Sequence, residues 1–375
     1  MKISTSFDSG NIEVVSLSSH ENIQLKIRKD TQSEFLQWFH FRLLGAQGYP
    51  CTIHLVNAGE TSYPEGWVNY YACASYDRNT WFRVPTTFNG KELTIEVTPN
   101  ENSIFIAYFP PYSYERHLEL VSTAQSEDIC VLDSLGKTLE GRDIDFLTLG
   151  EFTKEKRKVW IIARQHPGET MAEWFMEGLI HRLLDSDDPV SRRLLEQCTF
   201  FLVPNANIDG SIHGNLRTNA GGVNLNREWG NPSPLTSPEV YYIMQKMNET
   251  GVDLFLDIHG DEAIPYCFAS GIEGLPGYHG RLQMLQERFM ELWEAFNPDF
   301  QTKHGYPKNE PGKANLKIGA KAVSHRFDCL GLTIEMPFKD NADLPDRAFG
   351  WSPERSIKLG ESVLNIILQI QNVLR

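Results

Sequence analysis

Two histidines and several carboxylates recur at four places along the chain, each just after an apolar run. Arg164-Gln165-His166-Pro167-Gly168-Glu169 follows the run 159–163, and Pro204-Asn205-Ala206-Asn207-Ile208-Asp209-Gly210 follows 200–203. Asp257-Ile258-His259-Gly260-Asp261-Glu262 follows 254–256, and Glu335-Met336-Pro337-Phe338-Lys339-Asp340 follows 330–334. Imidazole and carboxylate are ligands for zinc, and hydrolytic zinc centres take three protein ligands while keeping one place for water. His166 and Glu169 stand three apart, with Pro167-Gly168 forcing a turn that aims both at one point. His259 is the candidate third ligand. Spacing alone is weak evidence, because His259/Glu262 and His325/Asp328 share it. A turn-capping His166 and a satisfied strand-end His259 explain the same residues without a metal.

Glu335 ends an apolar run, between Ile334 and Met336. A carboxylate there needs a partner, a metal or a task. Beside a metal-bound water it is placed to take a proton and pass it to a leaving amine; its plainer alternatives are the surface or a pair with Lys339. The stretch 216–229 is polar and glycine-interrupted and carries Arg217, Asn226 and Arg227 in a chain that is acidic overall. An Asn-Arg pair can clamp a carboxylate through a bidentate fork, and a second arginine can polarise a carbonyl and steady an oxyanion. An ordinary solvated loop is the alternative.

The elements that must position these groups change character along the chain. Over the first 110 or so residues, short runs alternate apolar and polar, as in 23–27 and 93–97, and turn residues separate them. Similar runs at 11–17, 36–44, 51–57, 72–84 and 103–109 predict a small antiparallel β-sandwich of about seven strands. Phe109-Pro110-Pro111-Tyr112 breaks this pattern, so we place a sandwich domain at 1–112 and a second domain at 113–375. There, continuous apolar strands (159–163, 200–203, 254–256, 330–334) alternate with helical patterns such as Met171, Phe175, Leu179 and Leu183. This predicts an α/β domain with a parallel or mixed sheet covered on both faces. Ser352-Pro353-Glu354 starts a terminal helix whose apolar stripe runs from Ile357 to Leu374. In open α/β sheets, functional residues gather beyond the carboxyl ends of the strands, which is where the four motifs fall.

The chain has 375 residues, 41% hydrophobic and 22% charged, an ordinary globular composition. No run reaches the roughly 20 apolar residues of a membrane helix, and no secretory signal is visible at the start. The six cysteines are scattered, with no C-x-x-C pair, and read as buried free thiols of a cytoplasmic protein. The net charge of −14 argues against nucleic acid as a partner. The stretch 216–229 is nonetheless locally basic, through Arg217 and Arg227, with Lys317 a further candidate from outside it. In the sandwich, His40 and His54 read as ordinary strand residues and Trp67, Tyr70 and Tyr71 as core more readily than contact surface.

Taken in order, H-x-x-E, R, N-R, a strand-end His and a strand-end Glu resemble the zinc metallocarboxypeptidase family over about 115–375. HPGE, the Val-Pro-Asn-x-Asn-x-Asp-Gly run, Leu-Asn-Arg-x-Trp and a leading β-sandwich resemble its cytosolic carboxypeptidase-like branch, including bacterial members. The resemblance implies one Zn²⁺ per chain held by His166, Glu169 and His259, with Glu335 as general base. It implies Arg217 at the scissile carbonyl, Asn226 and Arg227 on the substrate's terminal carboxylate, and hydrolysis of a C-terminal or side-chain-terminal peptide bond. The implied partner is a peptide or protein C-terminus. Two departures stand out. Asn224 occupies the place where digestive members have an Asp that orients a zinc-bound His, and the mobile closing Tyr has only Tyr306 as a candidate. Lys313, Lys317 and Lys321 lie near the place the resemblance gives the terminal pocket; a lysine in it would favour acidic terminal residues such as Glu, and solvated helix lysines are the alternative. A zinc amidase acting on cell-wall peptides or N-acyl amino acids is the alternative enzyme, and a catalytically degenerate peptide-binding module the alternative of another class.

Overall fold

The structure, a computed structural model, describes residues 1–374. Ten short strands fill the first part: β1 Lys2–Ser4, β2 Glu13–Ser19, β3 Asn22–Lys26, β4 His40–Leu44, β5 Cys51–Leu55, β6 Ala72–Ser75, β7 Phe82–Val84, β8 Thr86–Phe88, β9 Leu93–Val97 and β10 Ser103–Ala107. They form two five-stranded sheets, ordered β1-β4-β10-β6-β7 and β2-β3-β5-β9-β8. Period-two alternation does the work expected of it. Ile23, Leu25, Ile53, Leu55, Leu93 and Ile95 from one sheet meet Phe41, Leu43, Ile104 and Ile106 from the other in one buried core. The sandwich is antiparallel except where β3 and β5 pair in parallel. The run 72–84 is interrupted: Asp77 Oδ1 accepts from Asn79 N and Thr80 N in a tight turn between β6 and β7. Trp67 and Tyr70 are buried, whereas Tyr71 is exposed.

The second part holds a mixed sheet of β11 Cys130–Lys137, β12 Asp143–Leu149, β13 Arg157–Ala163, β14 Cys198–Val203, β15 Leu254–Asp261, β16 Phe268–Ser270 and β17 Leu330–Pro337. Its order is β11-β12-β14-β13-β15-β17-β16. β14, β13, β15 and β17 run parallel in the middle, and antiparallel strands close both edges. On β13, Val159 and Ile161 belong to one core cluster and Trp160 and Ile162 to another, so each face is covered. The helices are α1 Tyr114–Gln125, α2 Met171–Leu184, α3 Pro189–Gln197, α4 Ile208–His213, α5 Pro238–Thr250, α6 Arg281–Phe296, α7 Gly319–Phe327 and α8 Pro353–Ile370. Ser352 caps α8 by accepting from Arg355 N, with Pro353 in the first turn. The helix then lies against α2 at backbone range. A Cβ on Gly178 would stand 2.2 Å from Ile357 O, and one on Gly360 2.0 Å from Phe175 O.

β13 is the switch point of the sheet, because its successor β14 lies on one side and β15 on the other. A crevice opens beyond the strand ends at such a point. All six cysteines are buried and free, and no helix among the described residues is long and apolar enough to cross a membrane.

Candidate metal centre and substrate cleft

β13 ends in a sharp change of direction. Arg164 takes a left-handed φ of 59° and is anchored by donating to Pro167 O, Tyr112 O and Glu173 Oε2. The turn that follows delivers His166 and Glu169 as their spacing predicts. β15 and β17 run longer than their apolar runs, so His259 and Glu335 lie inside strands and pair directly in register. A carboxyl-end position was expected; the extra strand residues give both groups a fixed backbone instead.

His166, Glu169 and His259 are all buried, and one ligand atom from each falls within 4.8 Å of the others. Glu169 Oε1 is 2.7 Å from His166 Nδ1, Glu169 Oε2 is 2.7 Å from His259 Nδ1, and the two Nδ1 atoms are 3.2 Å apart. The remote nitrogens face acceptors. His166 Nε2 is 3.1 Å from Asn224 Oδ1, which also accepts from Asn226 N, and His259 Nε2 is 3.0 Å from Asp257 Oδ1. With the ring protons on Nε2, toward these acceptors, two Nδ1 lone pairs and the Glu169 carboxylate would be aimed at one point. Such a donor set could hold a cation, and its ligand types suit zinc. Asn224 thus serves His166 as a neutral acceptor, while a carboxylate serves His259. Asp257 is itself held by Gln165 Nε2 at 2.7–2.8 Å, and Gln165 Oε1 accepts from Trp229 Nε1 at 2.8 Å. Such supports fix ring orientation and ligand basicity.

The centre floors a cleft of about 570 Å³ that also holds Arg217, Asn226, Arg227, Tyr306, Lys321 and Glu335. Glu335 is buried, and its Oε2 has no hydrogen-bond partner. Burial, reinforced by Glu169, Asp261 and Glu262, holds its carboxyl well above the ordinary range. It does not pair with Lys339, whose Nζ donates to Val68 O. The Tyr306 hydroxyl donates to Asp261 Oδ2 at 2.6 Å and lies 3.2 Å from Glu335 Oε1. Asn226 Oδ1 accepts from Gly319 N at 2.8 Å, which turns its amide nitrogen toward His259 Nε2, 3.4 Å away. Arg227 is exposed, and its Nη1 donates to Asn226 O. Arg217 comes within 3.8 Å of Glu169. Of the three lysines read from sequence, Lys321 lines the cleft and donates to Asn309 Oδ1; Lys313 and Lys317 are exposed and take no part in lining it. Local basicity is therefore confined to Arg217, Arg227 and Lys321, with Glu65, Asp261 and Glu262 along the rest of the wall.

Sequence reasoning missed several members. Asp257 stands two before His259 on one strand, so both side chains share a face, and that signal was available. Glu262 is buried with an unpartnered Oε1, and burial pushes it up to about 8 despite Arg217 nearby. The sandwich also reaches the site. Tyr63 lines the cleft with its ring 5.3 Å from the Arg217 guanidinium, and Phe35 lies 5.9 Å from the same group. No chemistry was expected from residues 1–110, and nothing local in the sequence marks these two.

A mixed sheet with a buried His-Glu-His donor set at its switch point, an unpaired carboxyl beside it and arginines around the cleft defines a metallohydrolase. The comparisons narrow the class. Residues 114–357 match the family model described as zinc carboxypeptidase, and residues 3–109 match that of the cytosolic carboxypeptidase N-terminal domain. The chain belongs to the zinc carboxypeptidase family and is a peptide hydrolase. It is similar to a metallo-carboxypeptidase from Burkholderia cenocepacia, at 51% identity and a TM-score of 0.96, covering 98% of each chain. It is also similar to a metallo-carboxypeptidase from Pseudomonas aeruginosa solved with (2-guanidinoethylmercapto)succinic acid, at 48% identity and a TM-score of 0.97 over 100% of each chain. Cytosolic carboxypeptidase 6 of Mus musculus is 29% identical over 302 residues, which span 71% of this chain and 54% of that protein.

Proposed function

We propose that this chain is a zinc-dependent carboxypeptidase that removes a terminal residue, with a preference for acidic ones such as Glu, from the C-terminus or a side-chain terminus of a peptide or protein in the cytoplasm. We divide it into a sandwich of residues 1–112 and a catalytic domain of 113–375. The observation that carries the reading is Glu335: a buried carboxyl with an unpartnered oxygen, opposite His259 in strand register and open to the cleft. His166, Glu169 and His259 would hold one Zn²⁺. Bound there, the ion supplies a Lewis-acid charge that acidifies a water, polarises a carbonyl and draws Glu335 back toward its ionised form.

The remaining work belongs to the chain's own groups. Glu335 takes the proton of the attacking water as the new C–O bond forms, then gives it to the amine nitrogen as the C–N bond breaks. Arg217 steadies the carbonyl oxygen as it gains charge. Arg227 and Asn226 hold the substrate's terminal carboxylate and set which bond is presented. Tyr306 closes over the substrate by leaving Asp261. The acidic preference rests on Lys321, which lines the same cleft as Arg227. The (2-guanidinoethylmercapto)succinic acid bound by the P. aeruginosa relative carries carboxylates that suit a clamp like Asn226-Arg227, and a guanidinium that lends the acidic preference no support.

Digestion of a C-terminal peptide library by the zinc-loaded protein, read by mass spectrometry, tests this. Release of Glu or Asp ahead of Phe and Lys is the expected result, with the preference weakened about tenfold or more in Lys321→Met, as expected when a charge-assisted contact is lost. Faster release of Phe or Lys would overturn the acidic preference. Cleavage confined to N-acyl or cell-wall amides would favour the amidase reading.

A further inference from the structure

Residues 214–224 join α4 to the short turn at Leu225–Arg227 without regular secondary structure. Their backbone N–H groups lack helix or ladder partners and need acceptors. Three in succession find one in Asp30, a residue of the sandwich. Asp30 Oδ1 accepts from Leu216 N at 2.6 Å. Asp30 Oδ2 accepts from Arg217 N at 2.7 Å, Thr218 N at 3.0 Å and Thr218 Oγ1 at 3.1 Å. Asp30 is only 4% exposed, so the whole carboxylate is committed to this loop. The next residue repeats the contact in the other direction, with Thr31 N and Oγ1 both donating to Asn215 Oδ1 at 3.0 and 3.1 Å. Beyond this anchor, the Arg217 guanidinium lies near the Phe35 and Tyr63 rings, also from the sandwich. Leu216 O accepts from Gly168 N at 2.9 Å, so the anchored loop is tied to the turn between His166 and Glu169.

We propose that Asp30 is a positioning residue for Arg217, and that the sandwich domain is a working wall of the active site. Asp30 fixes the backbone from which Arg217 projects, and Tyr63 with Phe35 holds its guanidinium over the cleft. A carboxylate suits the anchor because charge-assisted bonds from three N–H groups resist the loop's tendency to move. A flexible arginine on an unanchored loop would reach the carbonyl oxygen only part of the time, which lowers turnover more than binding. The proposal rests on the role given to Arg217 above.

A double-mutant cycle on the zinc-loaded full chain separates the two claims. Arg217→Gln is expected to lower kcat about a hundredfold with little change in KM, as for loss of one oxyanion donor. Asp30→Asn is expected to lower kcat about tenfold or more with zinc content unchanged, and to speed amide exchange at 216–218. The double variant should be no slower than Arg217→Gln alone, because effects of groups acting as a unit do not multiply. If Arg217→Gln keeps its kcat, the reading of Arg217 falls and the proposal with it. If Arg217→Gln is slow but the Asp30→Asn loss is absent, or multiplies with it, the positioning role falls and the reading of Arg217 stands. Should Asp30→Asn fail to fold, Tyr63→Leu, at a half-buried ring, enters the same cycle: a kcat loss that vanishes in the Arg217→Gln background supports the proposal, and a multiplicative loss overturns it.

Discussion

A metal centre of this kind is decided by single atoms. Asn224 Oδ1 and Asp257 Oδ1 face the two Nε2 atoms, so a tautomer with its proton there would offer both Nδ1 lone pairs to one ion. Asp257→Asn should therefore weaken zinc binding about 10- to 100-fold, the usual effect of losing such a support, measured by competition with a chelator. Glu335→Gln should keep its zinc while kcat falls by about 10²–10⁴, the range for a lost acid–base group; equal loss of zinc in that variant would make Glu335 a ligand instead. The ligand candidates and Glu335 were legible because each stands in a short local motif after an apolar strand. Asp30 and Tyr63 were not, because their meaning depends on contacts with residues some 150–190 positions away, and their immediate neighbours carry no period or spacing that announces it.

At the scale of elements, the parallel strands and the covered sheet followed from continuous apolar runs, and α8 from its cap and stripe. Strand ends were harder. β15 and β17 extend through polar residues because neighbouring strands supply ladder partners that no hydropathy pattern records. The parallel β3–β5 pair is likewise a matter of chain return rather than of alternation. A cost is visible at the start of α5. Glu239 is fully buried, with Oε1 unpartnered and Asn219 Nδ2 at 3.4 Å from Oε2, and burial pushes its pKa from 4.5 up to about 7. A raised carboxyl keeps its proton more tightly when folded, so the related stability is full below pH 4.5 and declines as pH rises to 7. Glu239→Gln should melt higher than the parent above pH 7, by up to about 3 kcal/mol at 1.36 kcal/mol per unit. The advantage should vanish below pH 4.5; an equal gain at both pH values would show that the charge is not the cause.

Across the whole molecule, bulk acidity and site charge proved separable. A chain of net charge −14 gathers Arg217, Arg227 and Lys321 in one cleft, though acidic groups line the remainder. A zinc held as proposed would tie the parts together, since its candidate ligands come from the turn after β13 and from β15, and the same turn is bonded to the loop that Asp30 anchors. Removal of zinc by a chelator should lower the melting temperature by several degrees, and equimolar zinc should restore it. Bound at a thousand times its Kd, a ligand stabilises by about 4 kcal/mol. Glu335→Gln should show the same zinc-dependent rise, which separates stability from catalysis.

The seating of α8 on α2 sets an order of events during synthesis. Gly178 meets the backbone of Ile357 and Gly360 that of Phe175, yet about 180 residues of chain separate each pair. At roughly 5–20 residues per second, the ribosome takes about ten to forty seconds to cross that interval. Throughout it, the sandwich with Asp30 can fold, while the apolar side of α2 waits uncovered and open to a chaperone. Glu335 also emerges late, just ahead of α8. A growing chain thus exposes the turn of His166 and Glu169 long before it owns a finished cleft, and on the proposed mechanism peptidase activity waits until Glu335 and α8 have followed.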